Sequence, residues 1–177
     1  MKKLSLVNAV VILACIIFYL VNHFVLGDKI AYVDSNQLIN NYQGMIDARQ
    51  DFQLKAGQWK ANIDTLFAEV QNEIKTYEKE SVGMTKKERE LALKLIDSKK
   101  QNFQQYQQAI EQKAQAEDEK MTNAVISEIN GFIKSYGEEH GYQIIFGANE
   151  SGNIVYANKS INLTEEVTEA LNKLYNE

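Results

Sequence analysis

The chain has 177 residues, 24% of them charged, with a formal net charge of −5 at pH 7 and no proline. An acidic chain whose lysines alternate with Glu and Asp is poorly suited to nucleic acid, because nucleic-acid binding needs a concentrated basic surface. The single cysteine, Cys15, excludes a disulfide framework and a cysteine-based metal site.

The first segment, residues 1–27, contains an apolar run from Leu4 to Leu26 behind Lys2 and Lys3. The run is long enough to cross a bilayer, and no Ala-Xaa-Ala cleavage site precedes its polar end. The sequence therefore predicts an uncleaved inner-membrane anchor, with the chain from residue 28 onward on the outer side. Two alternatives stay open: cleavage as a signal peptide, and lipidation of Cys15, which ends a loose lipobox.

Residues 28–44 are predicted to form the first part of a small β body. Lys29–Val33 is apolar on both faces, which indicates a short buried strand. Asp34 or Ser35 then caps a brief helix, which Gly44 is predicted to separate from the following helix.

Residues 45–137 are predicted to form a long antiparallel coiled-coil hairpin. Apolar side chains recur in the first arm with a seven-residue period, and the positions between them are mostly polar. The pattern lapses at Ser81–Met84, where Gly83 can take a positive φ at little cost and so allows a turn. It resumes behind Thr85–Glu88, which matches a capping box at a helix start.

Equal counting in both directions from Gly83 sets Ile63 near Phe103 and Trp59 near Tyr106, so apolar residues meet across the hairpin. Phe67 lies just off this register and is predicted to face outward as a contact surface. The predicted seam consists of Phe52, Trp59, Ile63, Leu66, Val70, Ile96, Phe103, Tyr106 and Ile110.

Residues 138–177 are predicted to complete the body. Gly137 and Gly141 are expected to end the second arm of the hairpin. Tyr142–Phe146 and Ile154–Ala157 are predicted to be two strands joined by a turn, which makes a β-hairpin. Thr164 then begins a final helix with acidic residues in its first turn.

The predicted fold class is therefore α+β, mostly α, with a long coiled-coil hairpin rooted in a small β body. Three short strands in one chain cannot close a sheet, and their open edges favour pairing with other copies. Assembly is predicted to complete the body through the strands. The residues predicted to hold it are Ile30, Tyr32, Val33, Ile144, Phe146 and Val155.

A catalytic, cofactor or metal site is not predicted. His140 beside Glu138 and Glu139 is explained by a helix terminus, where a histidine interacts favourably with the helix dipole. The remaining carboxylates fall on exposed positions of the coil, and the sequence has no phosphate-binding loop. These observations argue against an enzyme.

Four stretches in this order, with the helical hairpin between the first and second, resemble the Skp, or OmpH-like, family of periplasmic chaperones. The stretches are Lys29–Asp34, Tyr142–Phe146, Ile154–Ala157 and Ile161–Val167. The resemblance implies a homotrimer whose strands form a shared barrel and whose hairpins surround a cavity. It also implies that unfolded outer-membrane β-barrel proteins are held there without ATP. Phe67, predicted from its position to face outward, is the candidate residue for contact with such a client.

The chain departs from the family in two respects, because well-studied members are strongly basic and are released by signal cleavage. Lipopolysaccharide binding is therefore not carried over to this acidic chain. A competing interpretation is a membrane-tethered coiled-coil scaffold or spacer in the cell envelope. A scaffold should present one continuous apolar stripe, whereas a holdase should offer scattered apolar contacts. The scattered pattern of the hairpin favours the holdase.

Overall fold

The structure is a computed structural model that describes residues 12–18, 29–149 and 152–177. From residue 29 onward its elements are β1 (Ile30–Asp34), α1 (Ser35–Asn41), α2 (Gln43–Glu80), α3 (Lys86–His140), β2 (Ile144–Ala148), a 3-10 turn (Lys159–Ile161) and α4 (Thr164–Tyr175). The predicted α+β class, dominated by a hairpin of two long helices, is confirmed.

Most of the predicted anchor, residues 4–26, lies outside the described residues. Its described part, residues 12–18, is helical and exposed. Within the described ranges, no helix combines the length and the apolar character needed to cross a membrane.

The chain divides into two compact units. The strand unit consists, within the described residues, of 29–38, 130–149 and 152–171. The hairpin unit consists of Ile39–Ile129 and Asn172–Glu177.

The strand unit is built on β1 and β2, which pair in parallel with Ile30 opposite Ile144 and Asp34 opposite Ala148. One face of this small sheet is covered by the unit's own core. The Asp34 carboxylate accepts a 3.0 Å hydrogen bond from the backbone N–H of Gln37 and so caps α1, as predicted. The buried apolar residues of the unit are Ala31, Val33, Leu38, Tyr136, Leu163, Val167 and Leu171.

The predicted β-hairpin is wrong. Ile154–Ala157 is not a strand, and β2 pairs with β1 rather than with this segment. The side-chain amide of Asn153 donates to the carbonyl oxygen of Gly147, and its oxygen accepts from the backbone N–H of Asn149 at 3.0 Å. The Asn153 side chain therefore ties this segment to the end of β2, while Val155 is 94% exposed. Without a buried face to pack on, the segment gains nothing from strand geometry within one chain.

The end of α3 follows the chemistry expected of a glycine stop. Gly141 has φ +70°, the N–H of Tyr142 donates to the carbonyl of Gly137 at 2.9 Å, and the N–H of Gly141 donates to Glu138 at 3.4 Å. This is a Schellman motif, so Gly141 ends the helix as predicted. Gly137 instead lies inside α3 and is buried. A Cβ added to it would lie only 3.3 Å from the Ile145 side chain.

The hairpin unit turns between α2 and α3 without a left-handed residue, so the positive φ that Gly83 permits is not used. Ser81 continues in right-handed geometry, and the N–H of Gly83 donates to the carbonyl of Glu80 at 3.0 Å. The capping box is confirmed, because the N–H of Thr85 donates to Glu88 at 2.7 Å and the N–H of Glu88 donates to the Thr85 hydroxyl at 3.3 Å.

The prediction that Gly44 separates two helices is wrong, because Gly44 lies within the first turn of α2. The break falls at Tyr42, whose backbone is extended with φ −74° and ψ 123°. The Tyr42 ring then folds over the helix start, where a Cβ on Gly44 would lie 2.5 Å from it. The absence of a side chain at Gly44 therefore lets the Tyr42 ring pack closely against the helix.

Candidate interaction surfaces

The exposed face of the two-stranded sheet is the first candidate surface. The register sets Ile30 opposite Ile144 and Tyr32 opposite Phe146, and the two-residue period points these side chains to one side. Ile30, Ile144 and Phe146 are 44%, 46% and 47% exposed. The expectation that β1 is buried on both faces is therefore wrong, because the chain supplies a core for one face alone.

The apolar face continues into an open groove of about 440 Å³. The groove is lined by residues of β1 and β2, by the segment Ile154–Ala157, and by Ile161. Tyr156 in this segment is 85% exposed. The strand unit thus presents a continuous apolar area of the kind that marks an interaction site.

The two edges of this sheet differ. Along β1, the N–H of Leu163 donates to the carbonyl of Tyr32 at 2.9 Å and the N–H of Asp34 donates to the Thr164 hydroxyl at 2.8 Å. Among the described residues, no strand pairs with the edge of β2 that faces away from β1. The outer edge of β2 is therefore the one that can accept another strand.

The structure gathers five of the six predicted assembly residues around the exposed face or its groove, namely Ile30, Tyr32, Ile144, Phe146 and Val155. Val33 points to the opposite side, where it is 2% exposed within its own chain. Its contribution to any assembly would be indirect, through the packing of the sheet.

The helical hairpin provides the second candidate surface, and its predicted seam is buried or half-buried. Val70 and Ile96 are 5% and 6% exposed, and the other seven predicted seam residues are half-buried. Polar pairs flank the seam: Lys99 lies 3.1 Å from Glu69, and Lys55 lies 3.5 Å from Glu117.

The contacts across the hairpin lie about one turn away from the sequence-based pairs. The Phe103 ring contacts Phe67, with centroids 5.8 Å apart, and the Tyr106 hydroxyl accepts a 3.2 Å hydrogen bond from Asn62. Helical side chains lean toward the N-terminus of their own helix, which is away from the turn in α2 and toward it in α3. Because the side chains of the two arms lean in opposite directions, the residues in contact differ by about one helical turn from the pairs found by equal counting along the backbone.

Phe67 is half exposed, as expected from its position just off the seam register, but its ring also contacts the seam. One side of its ring packs on Phe103, and the side chain remains 50% exposed. Other large apolar side chains on the hairpin are exposed as well. They are Ile46, Leu54, Val82, Leu91, Leu93 and Leu95.

Two ionisable side chains near the end of α3, Tyr136 and His140, make structural contacts. His140 is the last residue of α3, where its Nδ1 lies 2.8 Å from the carbonyl oxygen of Tyr136 and its ring stacks on the Tyr136 ring at 4.0 Å. The Tyr136 hydroxyl donates a 2.6 Å hydrogen bond to Glu166. Burial, together with this bond, raises the pKa of Tyr136 above its usual range. The described residues contain no cluster of three His, Cys, Asp or Glu side chains that could hold a metal.

The sequence did not indicate that the last residues of the chain, Asn172–Glu177, belong to the hairpin unit. Asn172 accepts a 2.7 Å hydrogen bond from the N–H of Gln43 and donates to the carbonyl of Asn41 at 3.0 Å, so it bridges the break between α1 and α2. The Tyr175 hydroxyl donates to Asp47 at 3.1 Å. An Asn or Tyr at a helix end has no periodic signal that would reveal such a partner.

Comparison with known proteins is consistent with this geometry. The sequence model of the outer membrane protein (OmpH-like) family matches residues 29–171. A crystal structure from Caulobacter crescentus CB15, of a protein described as an OmpH-like outer membrane chaperone, superposes with a TM-score of 0.74 at 15% identity, covering 84% of this chain and 86% of that one. No curated protein matches the sequence.

The fold and its surfaces define an α+β protein with a long helical hairpin and a small parallel sheet whose outer face is apolar. The chain belongs to the OmpH-like family, since the family match spans most of its length.

Proposed function

We propose that the chain is a periplasmic holdase chaperone, and not an enzyme, that binds unfolded outer-membrane β-barrel proteins without ATP and prevents their aggregation. The observation that carries the proposal is the family match over residues 29–171. The shared fold of the Caulobacter protein, described as an outer membrane chaperone, supports it.

The hairpin has the surface that such a client needs. An unfolded barrel strand alternates apolar and polar residues, and it aggregates through its apolar side chains and unpaired backbone. The exposed apolar residues of the hairpin are scattered among polar ones, with Leu54 63% exposed on α2 and Leu91 58% exposed on α3. Scattered contacts of this kind are individually weak and can be made and broken, so they permit release. Phe67 is proposed as one of them.

The sheet face is proposed as the assembly surface of a homotrimer. Ile30, Ile144 and Phe146 expose apolar area that a neighbouring copy would cover, and β2 has an edge that can accept a strand. The segment Ile154–Ala157 has a strand-like sequence and exposes Val155 and Tyr156 in this chain, so it is proposed to form a strand with another copy on assembly. The apolar run at residues 4–26 is proposed to anchor the chain in the inner membrane.

Light scattering of a urea-unfolded outer-membrane barrel protein, diluted with and without the full chain as the cell produces it, tests the proposal. We expect suppression of aggregation without nucleotide. A variant lacking residues 63–105, with Asn62 and Tyr106 joined by a short Gly-Ser turn, should lose most of it, and the 3.2 Å contact between these residues makes the junction feasible.

Two results would contradict this function: no suppression by a molar excess of the full chain, or equal suppression by the shortened variant. Mass spectrometry of co-purified proteins then decides the alternative. One stoichiometric partner would indicate a scaffold, whereas many outer-membrane barrels would indicate a holdase.

A further inference from the structure

Charge is distributed unevenly along the hairpin. The part around the turn, residues 75–100 and here called the distal segment, carries eight basic and five acidic residues, a net charge of +3. The rest of the two arms, residues 39–74 and 101–129, carries five basic and ten acidic residues, a net charge of −5. The near balance of the hairpin as a whole therefore conceals two regions of opposite sign.

The same distal segment holds a concentration of exposed leucines. Leu91, Leu93 and Leu95 are 58%, 50% and 46% exposed, and Val82 in the turn is 91% exposed. Ile96 between the arms is buried at 6% exposure. The leucines therefore flank the seam rather than fill it, and their apolar area is available to a partner.

The leucines do not share one face of α3. Leu91 and Leu95 are four residues apart and lie on the same flank, whereas Leu93 is two residues, or about 200°, from Leu91. A flat membrane surface cannot contact both flanks of the helix at once. A flexible extended polypeptide can pass around the hairpin and contact both.

We propose that the distal segment is the docking surface for unfolded polypeptide segments in which apolar residues are interspersed with Asp and Glu. The leucines would bury the apolar side chains of the segment, and exposed cations such as Lys87 and Lys94 would attract its carboxylates. This inference rests on the proposed holdase function and names the place and chemistry of client contact. It also predicts a salt dependence that the nearly balanced charge of the hairpin would not suggest.

The first experiment measures binding of two fluorescent, proline-containing peptides to the full chain as the cell produces it. Both have the same apolar residues, flanked by Asp in one and by Lys in the other. We expect the Asp-flanked peptide to bind more tightly, and its advantage to shrink as salt rises from about 0.05 M to about 0.5 M.

Paired variants locate the contact. Leu91→Ser combined with Leu95→Ser should weaken binding about tenfold or more, because two half-exposed leucines lose their apolar area. Leu174→Ser is the matched control, since Leu174 is 58% exposed, as Leu91 is, but lies on α4, outside the distal segment. It should bind like the unaltered chain. Lys87→Glu should weaken the Asp-flanked peptide and Lys60→Glu should not, and circular dichroism checks that each variant keeps its helices.

The outcomes separate this inference from the function on which it rests. If the unaltered chain suppresses aggregation but the Leu91/Leu95 variant binds peptide and suppresses equally well, the docking surface is wrong and the holdase function stands. If the unaltered chain does not suppress aggregation, the holdase function fails, and the peptide titration still decides the surface. Saturable binding to phosphatidylglycerol vesicles that Leu91→Ser/Leu95→Ser abolishes, without binding of either peptide, would assign the surface to a membrane instead.

Discussion

The phenol of Tyr42 donates a 2.6 Å hydrogen bond to the carboxylate of Glu128, which lies 86 residues further along the chain. The Tyr42 side chain is fully buried, and the edge of its ring meets the ring of Tyr175 with centroids 5.6 Å apart. The first arm of the hairpin is thus tied to the second arm and to the end of the chain at the point where α2 begins.

Tyr42→Phe should destabilise the hairpin unit by about 1.5–3 kcal/mol, because the substitution removes a bond to a charged group while keeping the ring. Urea unfolding followed by circular dichroism measures the change. Tyr106→Phe is the control, since its hydroxyl bonds to Asn62 at an exposed site, and it should change stability by less than about 0.5 kcal/mol. Equal effects of the two substitutions would contradict a special role for the Tyr42 bond.

High pH should weaken the same contact. Burial, followed by the bond to Glu128, raises the pKa of Tyr42 above that of a free tyrosine. The unfolded chain then loses this proton at a lower pH than the folded chain, so the contribution to stability is complete below the ordinary tyrosine pKa and is lost as pH rises above it. Unfolding at a series of alkaline pH values should show a steeper loss of stability in the unaltered chain than in Tyr42→Phe. Parallel losses would contradict the prediction.

Two glycines in α2 should respond oppositely to alanine. A Cβ on Gly57 would meet nothing within 4 Å, so Gly57→Ala should stabilise the helix by about 1 kcal/mol through its backbone propensity. A Cβ on Gly44 would lie 2.5 Å from the buried Tyr42 ring, so Gly44→Ala should destabilise. Thermal unfolding of the two variants tests the pair, and a change of the same sign in both would show that the ring does not set the requirement at Gly44.

The sequence predicted the features that depend on local patterns. A seven-residue apolar period indicated the first arm and a helical apolar period the second, and Thr85 and Glu88 matched the capping chemistry that the structure shows. It could not reveal that Gly44 makes room for Tyr42, because the sequence does not show that the Tyr42 ring folds back over the start of α2. It also misassigned Ile154–Ala157, since a strand needs a partner edge and sequence preference does not state where that edge is.

The leader prediction can be tested directly. Because the apolar run at residues 4–26 lacks an Ala-Xaa-Ala site before its polar end, we expect the chain to keep it. Intact-mass measurement on the membrane fraction should therefore give the full chain. A mature chain that begins near residues 27–29, or a lipid on Cys15, would show that the anchor prediction is wrong.

The last prediction concerns assembly through the sheet face. Phe146 is 47% exposed beside Tyr32, its register partner, so in one chain an aspartate at this position would remain solvated. In a trimer that covers this face, Phe146→Asp would bury an unpaired charge, which costs far more than the lost apolar area. We therefore expect Phe146→Asp to fold and to dissociate.

Light scattering coupled to size-exclusion chromatography measures the mass of the full chain and of its variants. Val82→Asp is the control, because Val82 is 91% exposed in the turn of the hairpin and should leave the mass unchanged. The variant without residues 63–105 should keep its stoichiometry, since it retains both strands. If Phe146→Asp keeps the mass of the unaltered assembly while the shortened variant becomes a monomer, the hairpins rather than the strands hold the copies together.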